Sequence, residues 1–298
     1  MSFPHALKGP AGYSLSLLAA VMAYFVGIDV GSLSTDGVLL DEEQRTLSEF
    51  VMPTGPNMAK AAHMTLVNVL DRAQVPSSQV EGVAATGYGR ASVRFATKTS
   101  SEVICHARGA RRLFPQATLV IDIGGQDTKV IALAPDGRVE DFAMNDKCAA
   151  GTGRFLEVMA KALDVPLTEM GERGLRAQRQ AIISSTCTVF SESEVISLLA
   201  KGTPVDEIIA GLHYVIAARI VGMISALRPA AKDDDRLKSV VVCGGVANNK
   251  GVVHEIEQKL GVKPSVPPNP QTVGALGAAL IAAEAHKKNP TPPKTKRK

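Results

Sequence analysis

The stretch that decides the fold is LVIDIGGQDTKVI, residues 119–131. Its first five residues form an apolar run that contains one acid, Asp122, and is typical of a buried β-strand. A glycine turn follows, and a second strand begins near Thr128. This order predicts a β-hairpin whose turn offers backbone N–H groups and a hydroxyl to a bound anion.

The same order occurs earlier in the chain, in YFVGIDVGSLSTDGVLLD, residues 24–41. Residues 24–30 are predicted to form a buried strand, residues 31–35 a tight turn and residues 36–41 the returning strand. Asp29 stands where Asp122 stands in the second unit, and it could hold a phosphate-bound Mg²⁺ through water. Alone, such a sequence is more often a plain turn, but two copies predict two related lobes facing one nucleotide. The candidate phosphate-binding residues are Gly31, Ser32, Leu33, Ser34 and Thr35 in the first turn, with Gly124 and Gly125 in the second.

A third motif, VVVCGGVANN at residues 240–249, predicts a strand followed by paired glycines that begin a helix. Glycines there would let the backbone approach an adenosine closely. Neither a Walker loop nor a complete Rossmann fingerprint is present in the sequence. The candidate adenosine-binding residues are Gly244, Gly245, Val246, Ala247, Asn248 and Gln271.

The order of the three motifs resembles the phosphate-1, phosphate-2 and adenosine motifs of the actin, Hsp70 and sugar-kinase superfamily. That resemblance implies an α/β fold of two lobes with duplicated RNase H-like cores.

Two cysteines lie in similar surroundings, in NDKCAAGTGRF at residues 145–155 and SSTCTVF at residues 184–190. Cys148 and Cys187 are each expected to open a helix, where the helix dipole and free N–H groups favour a thiolate. Two independent buried thiols remain an alternative, because zinc sites usually show C-x₂-C pairs. A [4Fe–4S] cluster needs four thiolates, so a symmetric dimer would have to supply two from each chain. Cys105, its neighbour His106 and Cys243 are interpreted as structural.

The two cysteine motifs are similar to the signature of the ATP-dependent activators (component A) of 2-hydroxyacyl-CoA dehydratases. That family includes the ATP-binding subunits of benzoyl-CoA reductase. The resemblance covers about residues 24–286, and GIDVGS (27–32), ATGYGR (85–90), IDIGGQD (121–127) and GGVA (244–247) match in order. One position departs from the family pattern. Asp36 stands at the end of the first turn where a lysine is expected.

The resemblance implies a homodimer with one [4Fe–4S] cluster held by Cys148 and Cys187 of each chain. It also implies ATP and Mg²⁺ in each cleft, with Asp29, Asp122, Gln126 and Asp127 as candidates for orienting the metal and the attacking water. A reduced ferredoxin or flavodoxin would donate the electron, and an iron–sulfur acyl-CoA dehydratase or reductase would accept it. The alternatives are a benzoyl-CoA reductase subunit, a small-molecule kinase of the same superfamily, and a non-enzymatic, nucleotide-gated binding module.

The expected domains are lobe I, formed by residues 24–97 with 272–286, and lobe II, residues 98–271, which carries both cysteine motifs. Residues 1–23 are expected to be a disordered extension, although their apolar run faintly resembles a signal peptide. The formal net charge of +4 includes six positive charges in the tail at residues 287–298, so the rest carries −2. A near-neutral body argues against nucleic-acid binding. No apolar run is expected to reach the ~20 residues of a membrane span, so a cytoplasmic protein is predicted.

Overall fold

The computed structural model describes residues 23–146, 148–184, 187–227 and 235–288. The expectations for residues 1–22 and 289–298 therefore lie outside the described residues. The first β-sheet contains β1 (Tyr24–Val30), β2 (Ser34–Leu40), β3 (Thr46–Pro53), β4 (Val80–Thr86) and β5 (Lys98–Thr99), in the order β3-β2-β1-β4-β5. The second contains β6 (Leu119–Ile123), β7 (Thr128–Leu133), β8 (Val139–Asn145) and β9 (Val240–Cys243), in the order β8-β7-β6-β9.

The two sheets repeat one arrangement, because each has an antiparallel hairpin with a parallel strand beside its first strand. β1 pairs antiparallel with β2 and parallel with β4, and β6 pairs antiparallel with β7 and parallel with β9. The registers also correspond, since Asp29 is opposite Asp36 and Asp122 is opposite Lys129. The duplication predicted from the two hairpin sequences is therefore present in the structure.

Two helices pack on the first sheet, α1 (Met58–Ala73) and α8 (Val273–Lys288), and a third, α2 (Glu102–Leu113), packs against α8. α1 begins after Asn57, whose side chain accepts a hydrogen bond from the Lys60 N–H, and it packs on β1, β2 and β3. α8 packs on β1, β2 and β4, and α2 packs against α8 while also touching β6, β7 and β8. α2 thus lies between the two sheets and can place side chains near both hairpins.

The second sheet is accompanied by α3 (Gly153–Ala162), α4 (Met170–Arg176), α5 (Thr188–Ala200), α6 (Val205–Ser225) and α7 (Lys250–Leu260). Side chains of β6, α3 and α6 meet in one hydrophobic core that includes Ile121, Phe155, Met159 and Ile216. α6 is long and apolar enough to cross a membrane by length and composition, contrary to the expectation that no run reaches that length. Half of its apolar window is buried inside the protein, which is the position of a core helix.

Candidate functional site

A cavity of about 930 Å³ lies where the turns of the two hairpins face each other. It brings together most of the sequence-predicted site residues. Those that line it are Asp29, Gly31, Ser32, Leu33, Ser34, Asp122, Gly124, Gly125, Gln126, Asp127, Gly244, Gly245, Val246, Asn248 and Gln271. Thr35, Ala247 and the two cysteines Cys148 and Cys187 are not among the lining residues.

The two hairpin turns are built alike and touch each other. The Gly31 N–H donates to the Ser34 carbonyl and the Gly124 N–H donates to the Asp127 carbonyl, each at 2.9 Å. A Cβ added at Gly125 would lie 2.7 Å from the Leu33 side chain, so only glycine lets the tips approach this closely. The turns therefore form opposite walls of one cavity.

Thr35 was predicted to contact phosphate, but the structure buries it behind the first turn. Its hydroxyl lies 2.9 Å from the Thr54 hydroxyl, and the Thr54 hydroxyl also donates to the Gly31 carbonyl at 2.8 Å. The Thr54 N–H donates to the Leu33 carbonyl at 2.9 Å. Thr35 therefore helps hold the shape of the turn and does not face the cavity.

Lys129 is the central cation of the second hairpin. Its Nζ lies 3.2 Å from Asp122 Oδ2, 2.8 Å from Asp127 Oδ2 and 2.8 Å from Glu102 Oε2. Burial acts to lower the pKa of Lys129, but these three carboxylates outweigh it and raise the pKa above its usual value. Lys129 is therefore a buried, permanent positive charge beside the second turn.

His106, interpreted from the sequence as structural, is buried in α2 and also reaches this group. Its Nε2 lies 3.3 Å from Asp122 Oδ2, and its ring lines the cavity. Burial lowers the pKa of His106, although the Asp122 carboxylate opposes the shift, so the imidazole is neutral at pH 7. Sequence reasoning missed His106, Glu102 and Lys129. The position of Lys129 could have been predicted from the sequence, because Lys129 is opposite Asp122 in the register of the predicted hairpin.

The carboxylates differ in protonation chemistry. Burial acts to raise the pKa of Asp122, but His106 and Lys129 outweigh it and hold the pKa below its usual range. Burial raises the pKa of Asp127, and Lys129 opposes that shift only in part. Burial and the neighbouring Asp36 carboxylate raise the pKa of Asp29 well above its ordinary value. Burial also raises the pKa of Asp36 to about 7.

The third motif closes the cavity from the side of β9. Gly244 has a φ of +83° and its N–H donates to the Pro270 carbonyl at 2.8 Å. A Cβ there would collide with the Ile123 carbonyl, so a side chain is excluded. Asn248 Nδ2 donates to Gln271 Oε1 at 3.5 Å, which keeps both polar side chains at the rim. Ala247 is 4% exposed and belongs to the hydrophobic core.

Cys148 does not open a helix, and that prediction was wrong. α3 begins five residues later, at Gly153. Gly151 has a φ of +90°, which is not helical, and the Thr152 N–H and hydroxyl both donate to the Ala149 carbonyl. Cys148 lies instead in a half-buried loop, and its backbone carbonyl accepts a hydrogen bond from Asn145 Nδ2 at 2.9 Å.

Cys187 does stand at a helix start, because it is the N-cap residue of α5 and is exposed. α5 packs against α3, the helix that follows Cys148. Cys105 and Cys243 are both buried. Burial raises the pKa of Cys105 to about 11 and that of Cys243 well above its ordinary value, so neither forms a thiolate readily.

The loop that carries Cys148 is tied directly to the second hairpin turn. The Gly153 N–H donates to the Gly124 carbonyl at 2.9 Å, and the Arg154 N–H donates to the Gly125 carbonyl at 2.8 Å. The Thr128 hydroxyl donates to the Gly151 carbonyl at 2.8 Å. A displacement of the second turn would therefore move the start of α3 and the end of the cysteine loop.

The donors suit two kinds of cofactor. Backbone N–H groups, hydroxyls and carboxylates surround a cavity large enough for a nucleotide, and ligand sites typically occupy about 300–1,000 Å³. The Cys148 side chain is half-buried and that of Cys187 is exposed, which fits ligands for an iron–sulfur cluster. A third set, His106, Asp122 and Cys243, has its ligand atoms within 4.8 Å of one another, but Lys129 already bonds to its carboxylate.

Comparison with known proteins gives close relatives over most of the chain. The activator of lactoyl-CoA dehydratase of Anaerotignum propionicum is 45% identical over 265 residues, which covers 89% of this chain and 99% of that protein. The crystal structure of component A of (R)-2-hydroxyglutaryl-CoA dehydratase from Acidaminococcus fermentans superposes with a TM-score of 0.83 at 42% identity. It covers 89% of this chain and 99% of that one. The activator of the 2-hydroxyisocaproyl-CoA dehydratase from Clostridium difficile with bound ADPNP gives a TM-score of 0.81 at 39% identity, with 89% and 96% of the two chains covered.

More distant similarities define the breadth of the fold. One chain of the benzoyl-CoA reductase of Thauera aromatica is 32% identical over 278 residues, covering 90% of this chain and 95% of that protein. A glucokinase of the ROK family from Streptomyces griseus shares only 15% identity over 88% of this chain and 99% of that one, with a TM-score of 0.56. The predicted actin, Hsp70 and sugar-kinase fold is thereby confirmed. The model of the BadF/BadG/BcrA/BcrD ATPase family matches residues 26–282, and the chain belongs to that family.

Proposed function

We propose that this chain is an ATP-hydrolysing iron–sulfur activator that drives low-potential, single-electron transfer to a 2-hydroxyacyl-CoA dehydratase. The observation that carries the proposal is the hydrogen-bonded connection between the second phosphate turn and the Cys148 loop, through Gly153 and Arg154. A nucleotide that moves the turn would move the cysteine. Coupling of ATP hydrolysis to a cluster bound by Cys148 requires a mechanical connection between the two sites, and these hydrogen bonds provide one.

In the nucleotide cleft, the two turns and the Gly244–Gly245 backbone would hold ATP. Asp29 and Asp122 would orient Mg²⁺, and Gln126 and Asp127 would position the attacking water. The ionised state of Asp122, which His106 and Lys129 favour, suits a metal-orienting carboxylate. Enzymes catalyse phosphoryl transfer mostly by positioning the reactants and stabilising charge. The contacts of these residues are of the type that an ATPase needs for both.

Cys148 and Cys187 would ligate a [4Fe–4S] cluster, which supplies reversible one-electron transfer when it is bound. One chain offers two of the four thiolates, so we propose a homodimer with the cluster on its two-fold axis. Exposed apolar side chains lie on α5 and on the segment before Cys187, and they would be covered in such a dimer. They are Ile182, Val189, Phe190 and Ile196, with exposed fractions of 87%, 67%, 66% and 55%. We call these four residues the α5 patch.

The lobe division and partners follow the same proposal. Residues 24–97 with 272–286 would form lobe I and residues 98–271 lobe II, and the packing of α8 on β1 and β4 supports that division. A ferredoxin or flavodoxin would donate the electron in the cytoplasm. The dehydratase is favoured over benzoyl-CoA reductase as acceptor because the identity is 45% to a dehydratase activator and 32% to the reductase chain.

The test is anaerobic purification followed by iron and sulfide analysis and native mass. We expect one four-iron cluster per dimer, and loss of iron in Cys148→Ser and in Cys187→Ser. Cys105→Ser is the matched control, because Cys105 is buried in α2, and it should retain iron. Full iron content in both Cys148→Ser and Cys187→Ser would rule the proposal out. A small-molecule kinase would contain no iron at all.

A second variant separates the two sites. Asp122→Asn should abolish ATP turnover, because the amide cannot replace the charge that faces Lys129 and the metal. The visible spectrum of the cluster should be unchanged, since Asp122 lies in the cavity and not in the cysteine loop. Loss of both signals together would show that the sites are not separable in this way.

A further inference from the structure

The first hairpin holds a pair of carboxylates at the wall of the cavity. Asp29 and Asp36 are direct partners across β1 and β2, so their side chains project from the same face of the sheet. They are 7% and 6% exposed, and both line the cavity. Two carboxylates directly opposite in a hairpin repel each other when both are ionised, so the pair favours either a bound proton or a bound cation.

The second hairpin contains a compensating cation and the first does not. At the equivalent register position, Asp122 is opposite Lys129, which bonds to it at 3.2 Å. In the first hairpin the position of the lysine is occupied by Asp36. The duplicated architecture therefore pairs an acid with a lysine in one hairpin and two acids with each other in the other.

The hydrogen bonds of the pair are incomplete. Asp36 Oδ2 accepts a hydrogen bond from the Ser34 hydroxyl at 3.2 Å, whereas Asp36 Oδ1 is buried and has no partner among the residues that the structure describes. Within the described residues, no hydrogen bond reaches the Asp29 carboxylate. The charge of Lys129 acts to lower the pKa of Asp29, but the ion pairs of its ammonium group are with Glu102, Asp122 and Asp127. A buried carboxylate oxygen without a donor is costly unless a cation binds to it.

We propose that Asp29 and Asp36 bind a hard divalent cation, Mg²⁺ or Mn²⁺, in the absence of nucleotide. Carboxylate oxygens are the ligands that these ions prefer, and such ions commonly combine one or two carboxylates with several waters. The cavity provides room for those waters. The ion takes the place that Lys129 fills in the second hairpin.

The site has a consequence for the nucleotide cleft. The lining of the cavity carries more acids than bases, because the carboxylates of Asp29, Asp36, Glu102, Asp122, Asp127, Asp146 and Glu157 face the cations of Lys129 and Arg90. An approaching triphosphate is repelled by whichever of these carboxylates are ionised. A cation on Asp29 and Asp36 makes the first turn attractive to phosphate before any nucleotide-bound metal arrives. The inference goes beyond the proposed function, because it concerns the protein without nucleotide.

The experiment is a titration of the nucleotide-free full chain with Mn²⁺, followed by electron paramagnetic resonance of the free ion. We expect one Mn²⁺ per chain in the wild type, and affinity at least about tenfold weaker in Asp36→Asn and in Asp36→Lys. Thermal unfolding without metal should show that Asp36→Asn is folded and at least as stable as the wild type, since a buried like charge is removed.

Two controls define the site. Asp41→Asn makes the same chemical change in the same hairpin, but Arg45 already satisfies that carboxylate, so Mn²⁺ binding should be unchanged. Cys243→Ser removes a ligand of the His106–Asp122–Cys243 group and should also leave binding unchanged. The proposal is overturned if the wild type binds no Mn²⁺, if Asp36→Asn binds like the wild type, or if either control weakens binding. Because the titration contains no ATP, these outcomes are independent of ATPase activity and of iron content.

Discussion

His106 and Lys129 give Asp122 a different charge state from the other acids in the cavity. Lys129 is a cation at every physiological pH, and the neutral His106 ring completes the contacts of the Asp122 carboxylate. Asp29, which lacks a cation of its own, has a raised pKa. The two hairpins of one duplicated fold therefore present an ionised acid on one wall and a readily protonated pair on the other.

His213 is a buried titratable group outside the cleft, and it predicts a pH dependence of stability. It is 1% exposed between α4 and α7, and burial lowers its pKa to about 4. The unfolded chain binds a proton near pH 6.5 that the folded chain does not bind until about pH 4. Stability is therefore lost as the pH falls from about 6.5 to about 4, by on the order of 3 kcal/mol.

The measurement is the free energy of unfolding in urea at several pH values, in wild type and in His213→Gln. The variant should lose about 3 kcal/mol less than the wild type between neutral and acid pH, whatever its stability at neutral pH. His254→Gln, at an exposed histidine of α7, should retain the wild-type dependence. Parallel pH profiles for wild type and His213→Gln would contradict the prediction.

Sequence motifs predicted the location of a residue where position in the motif determines position in space. Asp29 and Asp122 lie near the ends of two buried strands, β1 and β6, and the duplicated hairpins place both at one cavity. His106 could not be found in this way, because its contact with Asp122 depends on where α2 lies relative to β6. Thr35 failed for a similar reason, since the partner that buries it, Thr54, is 19 residues away.

At the scale of elements, the start of α3 is set by two interactions that a helical pattern does not contain. The apolar periodicity of residues 155–163 was correctly assigned to a helix. The positive φ of Gly151 and the bonds to the Gly124 and Gly125 carbonyls place its first residue at Gly153. The cysteine therefore lies on the loop that links turn to helix, where a displacement of either element can move it.

The close packing of α2 against α8 can be tested with a single substitution. A Cβ added at Gly277 of α8 would collide with the Cys105 carbonyl of α2. Gly277→Ala should therefore lower the free energy of unfolding by about 1–3 kcal/mol through overpacking, despite the higher helix propensity of alanine.

Gly222 of α6 provides the matched control. No atom of the described residues lies within 4 Å of a Cβ added there, so Gly222→Ala should raise the free energy of unfolding by about 0.5–1 kcal/mol. Urea unfolding of both variants measures the difference. A stabilised Gly277→Ala protein would show that α2 and α8 are not packed as closely as the structure has them.

At the scale of the whole molecule, the chain consists of two copies of one sheet arrangement with a cavity between their turns. The repeated motif in the sequence made this duplication predictable. The two cysteines predicted a dimer, but the surface through which a second copy would bind was not predictable, because it depends on which apolar side chains remain uncovered after folding. Val189 and Phe190 lie in the first turn of α5, where a sequence pattern does not distinguish a core residue from an exposed one.

The α5 patch provides the final prediction, because the proposed homodimer would cover it. Phe190 is 66% exposed and follows Cys187 by three residues. Phe190→Glu would place a charge in the core of that interface, where charged residues are depleted, so the native mass should fall to that of one chain. Because a monomer holds only two of four thiolates, iron should be lost with the dimer. Val67→Glu, at an exposed apolar residue of α1, is the control and should leave mass and iron content unchanged. A dimeric, iron-replete Phe190→Glu protein would place the contact between the two chains elsewhere on the molecule.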